Sequence, residues 1–123
     1  MEQAAVILLA HGSSDANWQR TFEQLAAPTC QALPHARIAY MELCSPSLQD
    51  VVAQQVAEGA QAIKVVPLFL ARGRHLRKDI PAMLADLQDA HPGVDMELTA
   101  PIGEAPALGE AVRSVVEGIL ERR

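Results

Sequence analysis

The stretch Ala4-Ala5-Val6-Ile7-Leu8-Leu9-Ala10-His11-Gly12-Ser13-Ser14-Asp15 decides how the rest of the chain is read. Its first seven residues are apolar without a break, which is the pattern of a strand covered on both faces. Gly12 to Asp15 then supply loop and helix-capping chemistry. A doubly covered strand turning directly into a helix is the start of a parallel α/β sheet, and the remaining segments repeat the theme. Trp18, Phe22, Leu25, Ala26, Thr29 and Leu33 recur at helical spacing, predicting a helix over about 16–34 with a kink or early break at Pro28. A second strand is expected over Ala36 to Leu43. Ser45-Pro46-Ser47 is expected to open a helix with a serine cap, proline in the first turn and a capping box from Ser47 to Asp50; its buried stripe is Leu48, Val51, Val52 and Val56 and its stop is Gly59.

The third strand, Ile63 to Leu70, is apolar apart from Lys64, and Pro67 must fall where no ladder bond is needed. Asp79 is expected to cap the next helix, with Pro81 in its first turn and Ile80, Leu84 and Leu87 facing inward. Val94 to Ala100 alternates apolar and polar residues, so the fourth strand has one wet face and belongs at an edge. Leu108, Ala111, Val112, Val115, Ile119 and Leu120 define the last helix. The order βαβαβαβα predicts α/β architecture: a four-stranded parallel sheet of order 2-1-3-4, helices on both faces, in one domain over residues 1–123.

Composition narrows the function. Of 123 residues, half are hydrophobic, 3% are aromatic, and the net charge is −5. An acidic, aromatic-poor chain is a poor partner for nucleic acid. The run Ala4 to Ala10 is far shorter than the ~20 apolar residues of a membrane span. Met1-Glu2-Gln3 lacks the basic start of an export signal, so the chain reads as cytoplasmic. Cys30 and Cys44 match no zinc or redox spacing and read as small, mostly buried apolar residues.

In an open parallel sheet, ligands bind beyond the carboxyl ends of the strands, where the strand order reverses. Here that point lies between the first and third strands. His11 follows strand one, His75 lies in the loop after strand three, and Glu42 ends strand two. Two imidazoles and a carboxylate suit a borderline divalent ion in an open site, and neutral imidazoles also accept protons near pH 7. Arg72, Arg74, Arg77 and Lys78 crowd the same rim and would draw a polyanion. His35 and His91 flank prolines at turns and read as exposed and structural. No nucleotide-binding glycine motif is present.

Ala10-His11-Gly12-Ser13, Met41-Glu42-Leu43 with Pro46-Ser47-Leu48, and Val66-Pro67-Leu68-Phe69-Leu70 leading to Gly73-x-His75 and Asp79-Ile80-Pro81 resemble the small CbiX-type sirohydrochlorin chelatases. The resemblance extends through His91-Pro92-Gly93 and Pro101-Ile102-Gly103. It implies insertion of a divalent metal into sirohydrochlorin without ATP, with Co²⁺ first, then Fe²⁺ or Ni²⁺. It maps metal handling onto His11 and His75, matches Glu42 to a family acid, and adds Ser13 and the basic residues 72, 74, 77 and 78 as contacts to the tetrapyrrole carboxylates. Longer relatives hold two such halves, so the resemblance also implies a homodimer. Two departures stand out: Ala105 where many members carry His, and Ser14 where Arg is common. A metal carrier or sensor using the same histidines is the rival expectation. Phosphoryl transfer through His11 is weaker, since Ala10 occupies the place where arginine usually flanks such a histidine.

Overall fold

The computed structural model describes residues 4–71 and 73–122. Its strands are β1 (Ala5–Ala10), β2 (Ala36–Tyr40), β3 (Ala62–Pro67) and β4 (Asp95–Leu98); its helices are α1 (Ala16–Ala32), α2 (Leu48–Ala57), α3 (Ile80–Ala90) and α4 (Pro106–Glu121). The sheet order is β2-β1-β3-β4 and every pairing is parallel, as the apolar runs require. β4 alternates exposed and half-buried residues, the mark of an edge.

Register assigns the two faces. Ile7, Leu9, Ala39, Ile63 and Val65 point to one side, where Leu48, Val51 and Val52 of α2 and Ile80, Leu84 and Leu87 of α3 close over them. Buried apolar side chains of this size contribute ~1.5–3 kcal/mol each relative to exposure, so this layer dominates stability. Gln55 is buried on the same helix, where its amide donates to the carbonyls of Val6 and His35 at 3.2 Å and pins α2 to the starts of β1 and β2. α1 covers part of the other face, setting Trp18 over Phe22 (ring centroids 4.4 Å apart) and Tyr40 (6.1 Å).

Several expectations are corrected. α1 runs through Pro28 to Ala32 without a break, and Leu25, expected on its inner stripe, is exposed. β2 stops at Tyr40 rather than Leu43, because the chain turns back there: the Tyr40 N–H donates to the carbonyl of Pro46, and Leu43 adopts a positive φ of 71°. The Ser47–Asp50 capping box is present in both directions, but Pro46 precedes it instead of sitting in the first turn. β3 ends at Pro67, so the missing N–H falls where the strand leaves the sheet. Asp79 is not a cap; it has helical backbone angles and closes a π-helical turn (His75–Asp79) that runs straight into α3. His91 is half-buried rather than exposed, and both cysteines are half-buried. α4 forms as expected, yet none of its residues is buried. Among the described residues no helix is long and apolar enough to cross a membrane.

Candidate functional site

The rim at the carboxyl ends of the strands is built from three chain segments that leave the sheet side by side. His11 follows β1 and Glu42 follows β2. The ladder continues past both strands: the Met41 N–H donates to the Ala10 carbonyl at 3.0 Å, and the Glu42 N–H to the His11 carbonyl at 3.1 Å. These bonds carry the backbones of His11 and Glu42 to adjacent positions at the mouth of the sheet, with both side chains exposed. Gly12 makes this approach possible. It sits at φ 102°, and a Cβ there would overlap the Glu42 carbonyl oxygen. The position therefore demands glycine on two counts, conformation and space.

A third segment, Leu68 to Leu70, closes the other side. The Leu68 N–H donates to the Leu9 carbonyl at 2.8 Å, which extends the β1–β3 pairing past Pro67. Phe69 then turns its ring face onto His11, with centroids 4.1 Å apart and planes 15° from parallel. Phe69 is almost fully buried, so the imidazole has a fixed wall on one face. The Phe69 carbonyl accepts from the Gly103 N–H at 3.0 Å, and a Cβ on Gly103 would collide with the Leu70 backbone. The turn after β4 thus braces the aromatic wall. Neither Phe69 nor Gly103 emerged from the sequence as part of the site, since Phe69 reads as one more apolar residue of a buried strand.

His75 opens the π-helical turn that follows Gly73. Its side chain lies outside the described residues, as does all of Arg72. Arg74, Arg77 and Lys78 are exposed, and the Arg77 N–H donates to the Gly73 carbonyl at 3.2 Å. The basic segment is therefore largely helical, not the loop expected after strand three. Ser13 prepares the start of α1. Its Oγ accepts from the Asp15 N–H at 3.0 Å, and Asp15 in turn caps the helix by accepting from Asn17 at 2.8 Å. The hydroxyl proton of Ser13 is still available to a ligand. Among the described residues no three His, Cys, Asp or Glu side chains converge as a closed metal site.

Tyr40 lies under this rim at the end of β2, 1% exposed. Burial first, then the charge of Glu23 and of Cys44, pushes its hydroxyl above the usual range, and the neighbouring Gln19 opposes that shift. Tyr40 therefore stays protonated at neutral pH and acts as packing beneath Trp18.

Such a site, an open histidine-bearing mouth at the switch point of a small parallel sheet, defines a class of α/β proteins that bind ligands above the strand ends. The CbiX family model matches residues 5–118, and the chain belongs to that family. A solved CbiX protein assigned to cobalamin (vitamin B12) biosynthesis in Marinobacter aquaeolei VT8 superposes with a TM-score of 0.90 at 55% identity, over 96% of this chain and 98% of that one. A sirohydrochlorin cobaltochelatase of Sulfurisphaera tokodaii is 30% identical over 115 residues, 94% of this chain and 92% of the relative. The chloroplastic sirohydrochlorin ferrochelatase of Arabidopsis thaliana is 31% identical over 117 residues, 94% of this chain. The chain spans about half the length of that plant relative, 52%.

Proposed function

We propose that the chain is a sirohydrochlorin chelatase, one chelatase-like unit over residues 1–123 that inserts a divalent metal into the tetrapyrrole without ATP. The match of the CbiX model to residues 5–118 carries this reading. Cobalt is the first metal, with iron second and nickel third; a relative named for cobalt and one named for iron support the first two as substrates. N and O donors accept all three.

Insertion exchanges two pyrrole N–H protons for one M²⁺, so the site must strip water from the ion and receive two protons. On this reading His11 and His75 hold the incoming metal and accept those protons, and Glu42 steadies the ion or relays protons to solvent. The wall of Phe69 keeps the His11 ring in one plane, so its lone pair is presented from a fixed direction rather than swept over a cone. Ser13, Arg72, Arg74, Arg77 and Lys78 receive the peripheral carboxylates of the ring through charge-assisted hydrogen bonds. Ala105 ends the turn after β4 with no donor atom, so this chain has no histidine ligand at that place. The partners are the tetrapyrrole and a second copy of the chain, with neither nucleic acid nor membrane. A cytoplasmic setting suits two unpaired cysteines.

The test is anaerobic incubation with sirohydrochlorin and each metal in turn, followed by the shift in the tetrapyrrole absorption. Metallation faster than the uncatalysed rate, ranked cobalt over iron over nickel, is the expected result. Metal binding without any acceleration would leave a carrier or sensor instead. A second measurement addresses the basic turn. Arg74 and Arg77 are exposed, and exposed charge pairs contribute only ~0.2–1 kcal/mol each. Reversing both, Arg74→Glu with Arg77→Glu, is expected to raise the Kd for sirohydrochlorin about tenfold at low salt and to flatten its salt dependence. Metal affinity should change far less. Equal tetrapyrrole affinity for wild type and variant would remove the turn from the binding surface.

A further inference from the structure

Two leucines beside the histidine mouth stand in water. Leu43 is 68% exposed and Leu70 is 78% exposed, and neither belongs to the core. Single exposed leucines are ordinary on a protein surface, but these two are set apart by the backbone that holds them. Leu43 has a φ of 71°, and among the described residues no other side chain with a Cβ is in that left-handed region. A leucine there is strained, and such strain persists only where the surroundings fix it. Three bonds do so. The Glu42 N–H donates to the His11 carbonyl at 3.1 Å, the Tyr40 N–H to the Pro46 carbonyl at 2.9 Å, and the Gln19 amide to the Ser45 carbonyl at 3.4 Å. Glycine or asparagine would take this angle with less strain, yet the place holds a large apolar side chain turned to solvent.

Leu70 is fixed in a comparable way. Its backbone is seated against Gly103, where a Cβ would collide with the Leu70 carbonyl, and the preceding Phe69 carbonyl accepts from the Gly103 N–H. β1 lies between β2 and β3, so the segments carrying Leu43 and Leu70 leave the sheet on opposite sides of His11, about 10 Å apart at two strand spacings. His11 is tied to both segments, through its carbonyl to Glu42 and through its ring to Phe69. Arg74, Arg77 and Lys78, all exposed, follow Leu70 on the same segment. The mouth thus offers two apolar contacts astride a histidine, with cations to one side. Its complement is a flat ring, apolar on its faces and anionic at its edge.

We infer that Leu43 and Leu70 support the face of the tetrapyrrole and so set the plane of the macrocycle over His11. The inference rests on the chelatase reading and adds which residues hold the ring's face. A metal enters the macrocycle through its face, not its edge, so the ring has to lie across the mouth. Carboxylates held by the basic turn fix the edge but leave the ring free to tilt. Apolar contact on both sides of His11 displaces water from the face and removes that freedom. The two leucines bind and orient; they carry no proton.

The test measures sirohydrochlorin binding, by the absorption of the tetrapyrrole, to wild type, Leu43→Asn, Leu70→Ser and the pair, over a range of salt. Asparagine accepts the backbone angle of Leu43, so the melting temperature should not fall. Each single variant is expected to raise the Kd about tenfold and the pair about 50-fold or more. The salt dependence should keep its slope, since no charge is lost, in contrast to the reversal of Arg74 and Arg77. The affinity for Co²⁺ alone should be unchanged. Leu70→Met keeps the apolar surface and should bind within about twofold of wild type. Wild-type affinity in the pair variant, or a loss in Leu70→Met as large as in Leu70→Ser, overturns the inference and leaves the chelatase reading intact. A loss accompanied by altered sedimentation means that the leucines meet another chain, and overturns it as well. A wild type that binds Co²⁺ but no tetrapyrrole overturns both.

Discussion

Replacing His11 with alanine is expected to cut the rate of metal insertion by ~10²–10⁴, the usual cost of removing a positioned acid–base group. His75→Ala should fall in the same range, and the double variant should sink to the uncatalysed rate rather than multiply the two losses, because both groups act in one step. The fold should survive His11→Ala, since the His11 side chain is exposed and its backbone carbonyl, which accepts from Glu42, is untouched. Circular dichroism and a thermal melt check that independently of activity. The same variant is expected to weaken Co²⁺ binding, read from the visible absorption of the bound ion. A double variant that still metallates sirohydrochlorin at near-normal rates would end the assignment of both residues. If His11→Ala instead unfolds the chain, the residue is structural, and its contact with Phe69 is packing.

Gly12→Ala should do the larger damage to the molecule itself. Alanine at φ 102° is strained, and its methyl would meet the Glu42 carbonyl oxygen, a backbone atom that no rotamer change can move aside. Strain at such a position and overpacking each cost about 1–3 kcal/mol, so a loss of roughly 2–6 kcal/mol is expected. For a chain of this size that lowers Tm by roughly 8–24 °C. Activity should fall further than stability accounts for, because separating Gly12 from Glu42 breaks the bond between the Glu42 N–H and the His11 carbonyl that holds the two site residues together. Gly73→Ala is the control. A Cβ there meets nothing within 4 Å, and its φ is not in the left-handed region, so stability should hardly move. Equal melting temperatures for Gly12→Ala and wild type would mean that the β1 and β2 mouths are free to separate.

Much of the fold was legible in the order of residues, for identifiable physical reasons. Ala4 to Ala10 and Ile63 to Leu70 have to be central strands because they are apolar almost throughout, Lys64 being the exception, and Val94 to Ala100 has to be an edge because it alternates. The strand order and the switch point follow from those three segments. His11 is placed by nothing more than being the first residue after β1. Turn chemistry that is local was equally legible: the Ser47–Asp50 box and the stop at Gly59 depend on neighbours within a few residues.

Residue order thus settles the interactions between near neighbours along the chain and the burial that apolar periodicity demands. Left to the packed molecule are contacts between distant segments whose partners carry no distinctive residue type. Phe69 becomes the wall of His11 because Pro67 ends β3 beside the end of β1, and a phenylalanine in an apolar run does not announce which ring it will face. Gly12 and Gly103 are required by carbonyls distant in sequence, those of Glu42 and Leu70. Glu42 reaches the mouth on a loop closed by the Tyr40 to Pro46 hydrogen bond rather than on the strand its neighbours predict. The periodicity of α4 states that one face must be buried but not against what. Hydrophobic patterning is a demand for burial with no address, and only the packed chain shows that its own sheet does not supply one.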